Sequence, residues 1–66
     1  MGIAKSIEVT ASSPDSFDDA VKVGVVKVSE TVKNIQSAWV KDSYVTVANG
    51  AVEEFRVSLK VTFLVD

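Results

Sequence analysis

Few residues in this chain can do chemistry, and their kinds are restrictive. There is no His and no Cys. That removes the usual general base, the commonest metal ligand, the thiolate nucleophile and any disulfide. Hydrolase triads, zinc sites and haem sites with His or Cys ligation are excluded. Acid–base work would fall to carboxylates, Lys or Tyr, and no paired-carboxylate constellation stands out. What remains is Trp39, Arg56, Asp42 and the Glu53-Glu54 pair. Trp39 reads first as an interface aromatic and second as a stacking platform for a flat ligand. Arg56 reads first as the partner of an acid on a neighbouring subunit and second as a phosphate ligand. Asp42 reads as a bulge or hydrogen-bonding residue, and Glu53-Glu54 as a solvated pair. Asp15, Asp18 and Asp19 follow Ser13 and Ser16, where a helix N-terminus favours negative charge, so capping already explains them.

The elements that position these residues follow from hydrophobic periodicity. Ile7, Val9 and Ala11 alternate with Ser6, Glu8 and Thr10, which predicts a strand over 3–11, with Lys5 suiting an edge. Ser-Ser-Pro-Asp-Ser at 12–16 then breaks the chain and supplies two N-caps, Ser13 and Ser16, predicting a helix that starts between residues 14 and 17. Phe17, Ala20, Val21, Gly24, Val28, Thr31, Val32 and Ile35 recur at three- and four-residue spacing. Asp18–Lys22 and Glu30–Lys33 add helix-compatible charge pairs. Asn34 is the expected C-cap. Gly24 costs helix propensity but permits close backbone approach.

From Ser37 onward the pattern is a hairpin around Asn49-Gly50, a type I′ turn signal. Phe55, Val57, Leu59, Val61, Phe63 and Val65 share one face of the last strand, and Glu54, Arg56, Ser58, Lys60 and Thr62 share the other. A two-residue turn pairs Ala48 with Ala51. Continued unbroken, that register sets Ser37, Trp39, Lys41 and Ser43 opposite Thr62, Lys60, Ser58 and Arg56, and leaves Asp42 facing inward. The apolar phase of the middle strand changes near Ser43, which calls for a bulge. The fold class is therefore α+β, with strand, helix, strand, strand in order. With the longest and most alternating strand central, the antiparallel sheet has order 1-3-2 and one helix on one face.

Sixty-six residues allow one small domain, residues 1–66, which buries only about 60% of its unfolded surface. With 47% hydrophobic and 24% charged residues the chain is not disordered. Disulfides and thiolate or imidazole metal sites are unavailable as staples, so self-association is the expected remedy. The net charge of −2 gives no basic excess for nucleic acid. No apolar run approaches the ~20 residues of a membrane span, and no signal-peptide core is present, so no membrane partner and a cytoplasmic location are expected.

Several stretches resemble dodecins. They are Ile7-Glu8-Val9-Thr10 through Ser12-Ser13-Pro14-Asp15-Ser16-Phe17, Glu30-Thr31-Val32-Lys33-Asn34-Ile35, Gly50-Ala51-Val52-Glu53-Glu54-Phe55 and Leu59-Lys60-Val61-Thr62-Phe63. The resemblance covers nearly the whole chain. It implies a βαββ protomer wrapped on its helix, a hollow homododecamer of 23 symmetry, and flavin (riboflavin or FMN) binding for storage or photoprotection, without catalysis. In that family a Trp stacks on the flavin and a Gln bonds its edge. By the resemblance these fall at Ser37 and Arg56, so both signature residues are replaced, while a carboxylate found near the site in some members falls at Asp42. The sequence looks closer to a calcium-associated subgroup. Trp39 is either an interface aromatic on the stem of Lys60 or a platform displaced about 6–7 Å along the strand. Glu53-Glu54, repeated by symmetry, offers oxygen ligands to calcium. The implied ligand residues are thus Ser37, Trp39, Asp42 and Arg56. The alternative is a calcium-associated or purely structural shell without flavin.

Overall fold

A computed structural model describes residues 2–65. Its elements are β1 (Ile3–Ser13), α1 (Phe17–Ser29), β2 (Ile35–Ala48) and β3 (Ala51–Val65). The sheet order is β1-β3-β2, and β3 pairs antiparallel with both neighbours. The predicted architecture is the one found.

The break between β1 and α1 uses both candidate caps, in different roles. Ser16 is the N-cap: its extended backbone precedes the helix and its hydroxyl accepts from the Asp19 N–H at 3.0 Å. Ser13 is still in the strand and buried. Its hydroxyl donates to the Asp19 carboxylate at 2.6 Å and accepts from the Asp15 N–H at 2.9 Å. One acid thus ties the strand end to the helix start. At the other end α1 stops at Ser29, five residues before the expected cap. Thr31 and Val32 N–H groups both close onto the Val28 carbonyl, tightening the last turn. Asn34 does adopt the left-handed conformation, with φ 63°, but it serves as the entry to β2: its carbonyl accepts from the Leu64 N–H at 3.1 Å. The ion pair on the helix joins Lys27 to Glu30 at 3.7 Å. The expected Asp18–Lys22 and Glu30–Lys33 pairs are not among those formed by the described residues.

α1 lies on one face of the sheet. Ala11, Ala20, Val57, Leu59 and Val61 are buried there, with Ile7, Val9, Phe17, Val21, Val28, Ile35 and Ala38 packed around them. Phe17 meets Phe55 edge-on, with ring centroids 5.1 Å apart and planes at 82°. Gly24 is the point of closest approach. A methyl placed on it would lie 2.8 Å from the Ala11 Cβ and 3.0 Å from the Leu59 Cδ1. This core is thin. The 13-residue helix covers about 20 Å of a chain 51 Å long. Val45, Val47 and Val52 on the distal hairpin, and Val23 and Val26 on the helix, are left exposed.

The two glycines separate two kinds of constraint. Gly24→Ala gains about 1 kcal/mol of helix propensity but forces a methyl into a fixed Cβ. Overpacking of about 1–3 kcal/mol outweighs the gain, so chemical denaturation should show a net loss. At Gly50 (φ +78°) a side chain would meet nothing within 4 Å, so only the dihedral resists. Gly50→Val should lose roughly 1 kcal/mol or more, and Gly50→Asn distinctly less, because Asn tolerates positive φ. Equal melting temperatures for the two variants would contradict this account of the turn.

Candidate functional site

The face of the sheet away from α1 is polar, and the pairing of its strands decides which side chains reach it. Opposed residues in an antiparallel pair share a face. β1 and β3 pair without irregularity from Ile3↔Val65 to Ser13↔Phe55. β2 does not. Its register shifts between Ile35 and Ser37, between Val40 and Asp42, and between Thr46 and Val47. The first two shifts place an extra residue on β2, Gln36 and Lys41. The third places one on β3, Glu53, since Thr46 opposes Glu54 while Val47 opposes Val52. The Glu54 N–H freed by this last bulge bonds the Thr46 hydroxyl at 3.1 Å.

The bulge at Lys41 corrects two sequence expectations. It lies two residues before Ser43, where the phase change had pointed. It also turns Asp42 from the inward face to the polar face, opposite Ser58, and sets Tyr44 rather than Ser43 opposite Arg56. The physical reason is that Val40 and Val45 both belong with the apolar face, and the four residues between them are one more than regular alternation can span. Below the bulge the expected pairs stand: Ser37 opposes Thr62 and Trp39 opposes Lys60.

Four rungs result, each crossing all three strands. Ser6, Thr62 and Ser37 form the first, with the Ser6 and Thr62 hydroxyls 3.0 Å apart. Glu8, Lys60 and Trp39 form the second. The bulged Lys41 reaches over it to a direct ion pair with Glu8. Thr10, Ser58 and Asp42 form the third, and Ser12, Arg56 and Tyr44 the fourth. All four residues named from the sequence, Ser37, Trp39, Asp42 and Arg56, share this face. Trp39 is 65% exposed.

Arg56 is engaged within its own chain. Its Nη2 and Nε donate to Glu54 Oε1 at 2.9 and 3.3 Å. The bonds to Glu54, and then to Tyr44, raise the guanidinium's pKa above its already high value. Glu54, read from the sequence as half of a solvated pair, is thus an intrachain partner of Arg56. Sequence reasoning placed Glu54 on the same face as Arg56 without pairing the two, and it missed Tyr44, because the bulges that set Tyr44 opposite Arg56 carry no compositional mark. Among the described residues, no three carboxylates come together in a metal-ligand cluster. A concavity of about 480 Å³ lies between α1 and β1 on the other side, lined mainly by apolar residues such as Ile7, Val9, Val23 and Val28. It contains none of the predicted site residues.

The Glu8–Lys41 pair lies at the surface, with both side chains partly exposed, so its effect is local. The hydrogen bond and charge of Lys41 hold the Glu8 carboxyl below its usual range, and Glu8 holds the Lys41 ammonium above its own. A lowered carboxylate pKa favours the fold above the ordinary Glu range, and that contribution is lost as pH falls through the lowered value. In a carbonyl-detected NMR titration, Lys41→Ala should move the Glu8 midpoint upward. An unmoved midpoint would mean that the pair does not persist in solution.

Comparison with known proteins places this geometry in context. The family model described as Dodecin matches residues 3–66. Among solved structures, dodecin from Streptomyces coelicolor superposes with a TM-score of 0.94 at 28% identity, covering 98% of this chain and 93% of that one. The calcium-chelating immunodominant antigen of Mycobacterium tuberculosis, calcium dodecin, solved with a novel calcium-binding site, superposes at 0.86 with 26% identity, covering 97% and 91%. Dodecin from Streptomyces davaonensis, at 23% identity and TM-score 0.93 over 98% and 96%, shares the fold. No curated protein sequence matches the chain.

Proposed function

The chain belongs to the dodecin family, and from that premise we propose that it is a self-assembling, non-catalytic binding protein whose polar sheet face holds a flavin. The observation that carries the reading is the convergence of Trp39, Asp42 and Arg56 on one face, with Trp39 the more exposed of its two aromatics, the other being Tyr44. Trp39 takes the role of stacking platform in place of Ser37, one rung away. Ser58, Thr10 and Asp42 on the next rung offer donors and acceptors to a polyol chain. No helix among the described residues is long and apolar enough to cross a membrane.

Assembly into the homododecamer implied by the family resemblance is part of the proposal. The thin core and the exposed valines of helix and hairpin support it, since a chain of this size has little other means of hiding them. Native mass spectrometry should show about twelve copies; a folded monomer at micromolar concentration would refute it.

Binding is tested by riboflavin fluorescence titration. Stacking on an aromatic platform is worth about 1–3 kcal/mol, so Trp39→Ala should weaken quenching by roughly tenfold or more. Ser37→Trp, which restores a platform at the family position, should tighten it. Wild-type protein that leaves riboflavin fluorescence untouched would sink the flavin reading. The likeness to calcium dodecin favours a second reading, an ion-associated shell in which carboxylates such as Glu53 meet between copies. Calcium calorimetry with wild type and Glu53→Gln decides it.

A further inference from the structure

Two apolar surfaces are left unmet within the chain, and both lie on the helix side of the sheet. The first is the end of the hairpin. Val45 opposes Phe55, whose ring meets Phe17 in the first turn of α1, so the helix begins level with this pair. Beyond it Val47 and Val52 oppose each other on the same face, 63% and 53% exposed, past the start of the helix. The second is the groove of about 480 Å³ between α1 and β1, which Ile7, Val9, Val23 and Val28 line. Val23 is 43% exposed.

The hairpin cannot fill the groove of its own chain. Val52 lies seven residues along β3 from Leu59, which opposes Val9 in the groove, and that sets it about 20 Å away. The ribbon is paired as far as Ala48 and Ala51, so folding back would break the ladder. A second copy meets no such obstacle.

Charge favours the same match. From Ser43 to Phe55 the ribbon carries two acids and no base. Glu54 is paired with Arg56, while Glu53 stands at the edge of the valine patch with the Thr46 hydroxyl on its carboxylate at 3.4 Å. Among the residues lining the groove, Lys27 alone is charged. Its ion pair with Glu30 is long, 3.7 Å, and its side chain is 75% exposed. An acidic apolar tip complements a basic apolar groove, whereas tip on tip or groove on groove sets like charges together.

Resting on the assembly reading above, we propose that copies of this chain join head to tail: Val47 and Val52 at the hairpin of one copy enter the groove between α1 and β1 of the next, with Glu53 at the rim near Lys27. The two patches differ, so the contact is heterologous. Each copy gives one tip and receives one, and the contact propagates until it closes into a ring. The groove is then a socket for a neighbour and not a pocket for a small ligand.

The absence of Cys from the chain makes the contact testable by introduced thiols. Val52→Cys marks the tip and Val23→Cys the groove, both at exposed positions. A disulfide needs Cα atoms within about 7 Å, so one forms only where the marked patches meet. After mild oxidation, non-reducing denaturing electrophoresis should show each single variant as a monomer. The two co-expressed should give a dimer holding one of each, and the double variant Val23→Cys/Val52→Cys should give covalent species of three copies or more. Light scattering before oxidation checks that each variant assembles. Self-linking by Val52→Cys alone, or an assembled double variant that stays monomeric on the gel, overturns the docking and leaves the assembly reading standing. Wild type that scatters as a monomer removes the assembly reading and this inference with it. Should the double variant fail to assemble, Val52→Glu carries the test. A wild-type circular dichroism spectrum with particle mass reduced by about half or more supports the contact, and an unchanged mass overturns it.

Discussion

β3 is hydrogen-bonded on both sides, and its side chains alternate without a break from Phe55 to Val65. Whatever pairs with it must present apolar residues to α1 and polar residues to the other face, at the same two-residue period. β1 complies along its whole length. β2 complies only by taking in the extra residues Gln36 and Lys41, and β3 answers with Glu53 near the turn. Because of these adjustments Val45 joins the apolar side while Asp42 and Tyr44 join Trp39 and Arg56. Both the packing under the helix and the composition of the polar face follow from this matching of phase.

Features governed by local chemistry were legible in the residues. Asn49-Gly50 forms the turn, with positive φ at both positions. Ser16 caps the helix, Gly24 sits at the close contact, and the alternation of β3 gave both its faces and its central place. Features governed by one-residue offsets were less so. The need for a bulge was visible in the apolar phase of β2, but its place was not, because a single extra residue leaves the composition of a strand unchanged. Asn34 shows the same division. It adopts the left-handed region, but it is not the expected C-cap, because the helix ends earlier, with Glu30 as its cap, and Thr31 and Val32 turn the chain toward β2. The site inherits this pattern. Trp39 and Ser37 lie below the bulge and were placed by counting from the turn. Asp42 and Tyr44 depend on the bulges and were not.

The two faces of the sheet differ in kind. Beneath the helix, close contact is achieved with small residues, Gly24 and Ala20 against Ala11, and bulk is supplied by Val57, Leu59 and Val61. Opposite the helix almost every position is a hydroxyl or a member of an ion pair, and Trp39 stands alone. The first arrangement is tightly packed yet yields little apolar burial per residue, the deficit that the proposed assembly would make up. The second is hydrated and its charges are balanced, so a flat ligand can be added there without disturbing the packing that holds the protomer together.

The bulges also bear on how the chain can change length. Within a regular stretch of β2 or β3, losing one residue turns every side chain beyond it to the opposite face. At Lys41 or Glu53 it does not, because neither residue has a partner across the ladder and the pairs on either side would simply become consecutive. With Gln36, the third unpaired residue, these are the positions in the hairpin where a one-codon deletion preserves both faces of the sheet. Shortening at Lys41 or Glu53 would cost only local contacts, the reach of Lys41 to Glu8 in one case and the Thr46 bond to Glu54 in the other. Descent with altered length should therefore leave its traces at these three points and spare the strands between them.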